Sequence, residues 1–216
     1  IFGLGGAALV LRGLLCTRPI GPGLAEEGAL RFGFNASVIA GAVAVLSFGA
    51  SLLLVPRSLD PQTYFEVLFW GGGHALQFVW TLLMLVAWLW LAGATGARVP
   101  LSPRLTVLMF VLALVSVFAT PFAYLAASVT SVEFRLINTW AMRLGGGIAI
   151  VPIGLAVVIG LLRSRTPRDP VALPLRAALV ASIVLFGAGG VIGALISGNN
   201  VRIPAHYHGS TVGVTL

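Results

Sequence analysis

Residues 177–197 read AALVASIVLFGAGGVIGALIS, an apolar run that carries no charged side chain. A transmembrane helix needs about 20 such residues, whereas a transmembrane strand needs only about 10. Other runs in the chain have a similar length and lack the short alternation that a β-barrel requires. We therefore predict an all-α, polytopic bundle of transmembrane helices.

The composition supports this fold class. The chain has 216 residues, of which 58% are hydrophobic and 9% are charged, and its mean hydropathy is +1.04. Soluble domains carry about 25% charged residues. The net charge of +7 is compatible with a nucleic-acid partner, but the arginines fall in short segments between apolar runs, so membrane topology explains them better and no nucleic-acid partner is expected. The single cysteine excludes an internal disulfide and a CxxC metal site.

Hydropathy and turn residues divide the chain into five full spans and two partial ones. The segment between 129 and 143 is amphipathic, and Pro121 is expected to kink the span that contains it. Because the chain opens and closes inside apolar segments, we expect one transmembrane domain over residues 1–216 that belongs to a longer protein. The predicted spans are 1–16 (partial), 33–56, 64–93, 105–128, 144–162, 177–197 and a final helix from about residue 203 (partial).

The arginines predict the orientation of these spans. Loops that alternate along the chain carry nine arginines on one side and four on the other, and the side richer in arginine should be cytoplasmic. The nine are Arg12, Arg18, Arg31, Arg98, Arg104, Arg163, Arg165, Arg168 and Arg176, and the four are Arg57, Arg135, Arg143 and Arg202.

The chain has three histidines, and this topology places all of them in the outer half of the bilayer. His206 and His208 lie near the start of the final helix, and His74 lies about ten residues into the span 64–93. Ionisable side chains are costly in hydrocarbon, so they indicate a functional site. Residues two apart on a helix lie about 200° apart around its axis, so His206 and His208 leave on nearly opposite sides and suit two different ligands better than one shared ion.

Other polar residues are weaker candidates. Gly71, Gly72 and Gly73 before His74 permit close approach of a backbone or a flat ring. Glu66, two turns before His74, is either a proton-path carboxylate or an interfacial residue, and we favour the second. Candidates for hydrogen bonding are Gln77, Tyr124 and Asn138. Packing or interface anchoring is the role predicted for Trp70, Trp80, Trp88 and Trp90. Loop charge is the simpler explanation of Arg135 and Arg143, and pairing with anionic groups such as haem propionates is the alternative.

Haem is the cofactor that best fits the paired histidines. Haem iron takes axial histidine ligands, and a flat macrocycle fits between transmembrane helices. A histidine pair on opposite faces of one helix can serve two haems, an arrangement that suits electron transfer between them.

Two motifs carry a resemblance to a known family. Residues 203–209, IPAHYHG, resemble the HxH signature of the tenth helix in subunit I of the haem-copper oxidases, and residues 69–78, with Gly73 and His74, resemble its sixth helix. The resemblance runs from about residue 33 to the end. The whole chain would correspond to helices four to ten of the twelve in that subunit. Phe78 stands where the mitochondrial-like branch has tyrosine, so the chain looks nearer to the cbb3-type and nitric-oxide-reductase branch.

The resemblance implies a role for each histidine. His206 would be the proximal ligand of a high-spin haem, His208 an axial ligand of a low-spin haem, and His74 a ligand of the non-haem metal. Both haems would be of the b type. The family also has a His-His pair on its seventh helix, but the corresponding span 105–128 has no histidine. The metal site is therefore incomplete, and tight binding of copper is not expected.

Three function classes follow from these observations. The first is a haem-binding subunit that passes electrons within a respiratory complex of the bacterial inner membrane. The second is an active terminal oxidase or nitric oxide reductase, an oxidoreductase whose donor is a c-type cytochrome or quinol. The third is a haem-free transporter or scaffold. The missing histidine pair favours the first class, and the retained His74 keeps the second open.

Overall fold

A computed structural model describes residues 11–13, 15, 26–165, 169–197 and 201–215. These residues form helices joined by short connections and contain no β-strand, which confirms the all-α prediction. Residues 11–13 and 15 are helical. The helices that follow are α1 (Glu26–Leu54), α2 (Pro61–Ala94), α3 (Pro103–Val117), α4 (Ala119–Ala126), α5 (Val132–Trp140), α6 (Gly147–Arg163), α7 (Ala172–Ala194) and α8 (Arg202–Thr215), with a π-helical segment, Ala141–Gly146, between α5 and α6.

Five of the described segments are long and apolar enough to cross a membrane: Glu26–Leu54, Pro61–Ala94, Pro103–Ala126, Val132–Arg163 and Ala172–Ala194. The five full spans that hydropathy predicts are therefore confirmed, and the chain is a multi-pass helical membrane protein. Much of their apolar surface is exposed; in the most apolar window of α7 only 17% of the residues are buried. Such a surface requires hydrocarbon or further protein around it.

Two predicted boundaries are wrong. Residues 26–32 were expected in a loop, but α1 begins at Glu26, whose carboxylate and that of Glu27 suit the positive end of a helix. The amphipathic segment was expected to be separate from the span at 144, yet Val132–Arg163 is helical throughout. The Ser131 hydroxyl starts it by accepting a hydrogen bond from the amide of Phe134 at 3.2 Å. Arg135 and Arg143 are consequently in a helix and not in a loop.

The span that contains Pro121 is interrupted at Phe118, between α3 and α4, and the kink at Pro121 stays a prediction. Proline has no amide hydrogen, so the carbonyl of Val117, four residues earlier, has no helical donor at Pro121. The amide of Phe118 donates instead to the carbonyl of Val115 at 3.1 Å, which tightens this turn.

The chain divides into two compact units, one of residues Ile1–Leu83 and Leu101–Ile153 and the other of Met84–Pro100 and Gly154–Leu216. A single domain over the whole chain stays a prediction. The first unit contains a buried cluster around Phe134, whose ring meets Tyr124 edge to face at 4.8 Å. Tyr124 Oη donates to the carbonyl of Ser47 at 2.9 Å and lies 2.6 Å from Ser51 Oγ, so this phenol joins α1 to α4.

The second unit is built on the close packing of α7 against α8. Trp88 Nε1, on α2, donates to Ser182 Oγ on α7 at 2.8 Å, and Ser182 in turn donates to the carbonyl of Gly213 on α8. Arg176 binds the end of α6 through Ser164 Oγ at 2.7 Å and the carbonyl of Leu161 at 2.8 Å. Cationic side chains suit the carbonyl end of a helix, and this one ties the start of α7 to the end of α6.

Candidate functional site

Helix α8 carries both members of the histidine pair in its second turn. The helix begins at Arg202, and Pro204 is tolerated near its start because the first amides of a helix have no intrahelical acceptor. His206 is half-buried and His208 is exposed. The two imidazoles therefore meet different surroundings, as the 200° separation of their positions requires.

The imidazole of His206 is held by the neighbouring helix. Its Nδ1 atom lies 2.7 Å from the carbonyl oxygen of Gly189 on α7. Gly193, one turn further along α7, leaves the room that the ring occupies, since a Cβ atom there would lie 2.6 Å from Nδ1. Ser210 Oγ is a more distant neighbour of Nδ1, at 3.4 Å. The position of His206 thus depends on α7 as much as on α8.

Small residues bring the two helices together at this level. A Cβ atom on Gly209 would lie 2.9 Å from the Cα atom of Gly189, and one on Gly213 would lie 2.5 Å from the amide nitrogen of Phe186. Backbones that approach this closely allow only glycine at the contact. The paired glycines, 189 with 193 and 209 with 213, form two small-xxx-small patterns. Neither pattern is among the predicted features, although this spacing is a recognisable signal in a sequence.

The imidazole of His208 is held by its own helix. Its Nδ1 atom lies 2.7 Å from the carbonyl oxygen of Pro204, one turn earlier. Because the side chain is exposed, the rest of the ring is open to whatever surrounds α8.

His74 has the same local arrangement in the first unit. Its Nδ1 atom lies 2.7 Å from the carbonyl oxygen of Trp70, and the two rings are 5.0 Å apart at 34°. The residue is half-buried, about 20 Å along α2 from Pro61 at 1.5 Å per residue. It therefore lies well inside a membrane span.

The protonation pattern of all three histidines follows from these contacts. A backbone carbonyl can only accept a hydrogen bond, so Nδ1 must be the donor in each case. In a neutral imidazole Nε2 then carries the free lone pair. Metal-ligating histidines typically donate their other N–H to a carbonyl or carboxylate, which fixes the ring and its tautomer. Nε2 is therefore the ring nitrogen that presents a lone pair in each of the three.

The glycines before His74 divide into two kinds. A Cβ atom on Gly71 would lie 2.5 Å from Tyr124 Oη, and one on Gly72 would lie 2.6 Å from the ring of Phe48, so aromatic side chains approach both closely. A Cβ atom on Gly73 would meet nothing within 4 Å. The predicted close approach of a flat ring is therefore found at two of the three glycines.

Glu66 pairs with a cation in the first unit. Its Oε1 atom accepts a hydrogen bond from Arg135 Nη1 at 2.8 Å, and the guanidinium also lies over the ring of Trp70, 5.1 Å from the centroid. Trp70 Nε1 donates to the carbonyl of Arg135 at 3.4 Å. This pairing suits the interfacial role predicted for Glu66.

The remaining candidates are two residues that form hydrogen bonds inside the bundle, one exposed glutamine and the tryptophans. Asn138 is fully buried; its Nδ2 atom donates to the carbonyl of Phe134 at 2.9 Å, and Tyr124 bonds to α1 as described above. Gln77 is exposed. Trp88 is buried, as expected for packing, whereas Trp80 and Trp90 are 50% and 58% exposed; interface anchoring stays a prediction.

The described residues contain no group of three or more His, Cys, Asp or Glu side chains that could hold a metal ion. His74 belongs to the first unit, and His206 and His208 belong to the second. A site shared by all three histidines stays a prediction.

Two bacterial proteins are similar to this chain. An uncharacterised protein of Rickettsia prowazekii (strain Madrid E) is 30% identical over 185 residues, which covers 73% of this chain and 36% of that protein. An uncharacterised protein of Aquifex aeolicus (strain VF5) is 34% identical over 157 residues, which covers 71% of this chain and 36% of that protein. The chain therefore spans about a third of the length of both relatives. No family model matches the chain. No solved structure matches it.

Proposed function

We propose that this chain is the haem-binding part of a membrane subunit in a respiratory electron-transfer complex. His206 and His208 would be axial ligands of two b-type haems, as the resemblance to subunit I of the haem-copper oxidases implies. A bound haem iron supplies one-electron chemistry by cycling between its ferric and ferrous states. The donor would be a c-type cytochrome or quinol, and further subunits would complete the complex.

The observation that carries this proposal is the hydrogen bond from Nδ1 of each paired histidine to a backbone carbonyl, at 2.7 Å in both. This hydrogen bond leaves the lone pair of Nε2 free to bind a metal. It also fixes the plane of each ring before any metal is bound.

The positions of the two rings favour two separate ligands. They leave α8 on nearly opposite sides, so one metal ion would not be chelated by both. His206 is half-buried against α7, whereas His208 is exposed. The two haems would therefore differ in their surroundings, which is one way in which a protein gives two similar cofactors different potentials.

The same proposal includes a location. The chain would lie in the cytoplasmic membrane of a bacterium, with its arginine-rich loops in the cytoplasm and its histidines toward the outer side. The relatives in Rickettsia and Aquifex support a bacterial setting.

A second candidate is an active oxidase or nitric oxide reductase, and one observation favours it. His74 also donates through Nδ1 to a carbonyl, so its Nε2 is free to bind a non-haem metal. Tight sites need several convergent ligands, and the described residues offer no group of three. Electron transfer without a complete copper site is the better supported function.

The decisive experiment is an optical spectrum and a haem and copper analysis of the protein purified from its membranes. Two haems without copper are expected. His208→Ala should remove the low-spin spectrum, His206→Ala should remove the other haem, and His74→Ala should retain both. Two haems with copper near one per chain, together with oxygen or nitric oxide consumption, would favour the oxidase. Absence of haem would overturn both candidates and favour a transporter or scaffold.

A further inference from the structure

Arg143 lies where a transmembrane segment enters hydrocarbon. Residues 144–162 contain no charged side chain, and Arg163 follows them. At 1.5 Å per residue these nineteen residues extend about 28 Å, close to the ~30 Å thickness of the hydrocarbon core. Arg143 is therefore at the level of the lipid phosphates if that segment spans the bilayer.

The arginine is exposed and has no carboxylate partner among the residues that the structure describes. Its guanidinium lies over the ring of Trp140, 5.6 Å from the centroid. This contact between a cation and an aromatic face orients the guanidinium without neutralising it. An unneutralised guanidinium at the membrane boundary attracts an anion, and phosphate oxygens match its fork of N–H donors.

An apolar groove begins at this arginine. The groove is shallow and open along most of its length, and it is lined by Met109, Arg143, Leu144, Gly147, Ile148, Val151 and Pro152. Leu144, Ile148 and Val151 are 60%, 42% and 56% exposed. Their spacing places them in one stripe that begins in the π-helical segment Ala141–Gly146 and continues along α6, and the stripe runs about 12 Å from Arg143 to Val151 at roughly 1.5 Å per residue.

The π-helical segment Ala141–Gly146 supports a specialised role for this position. Such segments are rare and are frequently found at functional sites. On the side where Gly145 faces α3, a Cβ atom would overlap the side chain of Ser116, so this face is filled by protein. Gly145 and Arg143, two residues apart, thus lie on a packed side and an exposed side of this segment.

We propose that this groove binds an anionic phospholipid, with the phosphate on Arg143 and one acyl chain along Leu144, Gly147, Ile148 and Val151. A single cation at the phosphate level, continued by an apolar groove into the hydrocarbon, matches the two parts of such a lipid. The inference does not depend on haem binding.

The experiment compares an anionic lipid and a zwitterionic lipid that carry the same acyl chains. The purified protein is reconstituted in nanodiscs containing phosphatidylglycerol and phosphatidylcholine with identical acyl chains, and bound lipid is measured by native mass spectrometry. The wild-type protein should retain phosphatidylglycerol preferentially. Arg143→Gln should weaken that retention about tenfold, as expected for loss of one charge-assisted hydrogen-bonded contact.

Two further variants separate the charge from the groove. A Cβ atom on Gly147 would meet nothing within 4 Å, so Gly147→Phe adds a ring next to the groove and retains the cation; it should also reduce retention. Arg104→Gln removes an exposed arginine elsewhere and should have no effect. Equal loss in Arg104→Gln and Arg143→Gln, or equal retention of the two lipids by the wild-type protein, would overturn the proposal.

A photoactivatable acyl chain provides a readout that does not require a variant to fold. Phosphatidylglycerol with a diazirine on one chain should crosslink to Ile148 or Val151, and excess inorganic phosphate should not prevent this. Crosslinks confined to other helices would refute the groove as the binding site. Competition by inorganic phosphate would show that the anion alone is bound and would overturn the assignment of a lipid.

Discussion

The Nδ1 atom of His206 lies 2.7 Å from the carbonyl oxygen of Gly189, so helix α7 determines the orientation of an imidazole that helix α8 carries. Gly193 completes the arrangement because it has no side chain where the ring lies. If Nε2 of His206 binds a haem iron as proposed, α7 therefore controls the orientation of that ligand.

Gly193→Ala tests this dependence. The added Cβ atom would lie 2.6 Å from Nδ1, so the His206 ring must move or the helices must separate. Overpacking of this kind costs about 1 to 3 kcal/mol of stability, which exceeds the ~1 kcal/mol that alanine gains over glycine in a helix. We expect a lower thermal unfolding midpoint and a changed spectrum of one haem, with the other haem unchanged.

Gly190→Ala is the matched control, because a Cβ atom on Gly190 meets nothing within 4 Å. It should raise stability by up to about 1 kcal/mol and leave both spectra as they are. If Gly193→Ala and Gly190→Ala behave alike, Gly193 does not position His206.

Ser182→Ala tests the link between three helices of the second unit. The substitution leaves Trp88 Nε1 and the Gly213 carbonyl without the hydroxyl that joins them. A buried donor that loses its acceptor costs about 1 to 3 kcal/mol. Unfolding by denaturant, followed by tryptophan fluorescence, should show a loss of this size.

Trp88→Phe combined with Ser182→Ala completes the cycle. Once the indole N–H is gone, loss of the hydroxyl has a smaller effect. The loss of stability in the double variant should therefore be smaller than the sum of the losses in the two single variants, by about 0.5 kcal/mol or more. Strict additivity would mean that the bond between Trp88 and Ser182 contributes nothing measurable.

The spans were predictable because hydrocarbon thickness fixes the length of an apolar helix. Their ends were less predictable. The charges of Arg135 and Arg143 suggest a loop, but long cationic side chains are tolerated in helices that enter the interface, where the charged ends reach water or phosphate. The Ser131 cap in front of Glu133 is the local signal that a helix begins there.

The candidate site was predictable in its residues and not in its geometry. Paired histidines in an apolar chain stand out by composition alone. The partner of His206 is a backbone carbonyl seventeen residues earlier, and no side-chain type marks a carbonyl. Only the glycine spacing on α7 and α8 carries that information, because close helix contact in membranes requires small residues.

The glycines before His74 permit a second comparison of neighbouring positions. A Cβ atom on Gly71 would lie 2.5 Å from Tyr124 Oη, and hydrogen bonds to α1 hold that phenol in place. Gly71→Ala should therefore destabilise the protein by about 1 to 3 kcal/mol. Gly73→Ala meets open space and should stabilise it by up to about 1 kcal/mol. Thermal unfolding midpoints measure both, and equal midpoints would contradict the packing of Tyr124 against Gly71.

Glu66→Gln distinguishes the interfacial role of this carboxylate from a proton path. The pair with Arg135 has a 2.8 Å contact, but its side chains are 34% and 45% exposed, so solvent screens it and its contribution should be about 0.2 to 1 kcal/mol. The loss should shrink at high salt, where the screening length is about 3 Å instead of about 10 Å. Glu27→Gln, which affects the more exposed 3.8 Å pair with Arg31, is the control and should change stability less. Loss of electron-transfer turnover with unchanged stability would instead assign Glu66 to proton transfer.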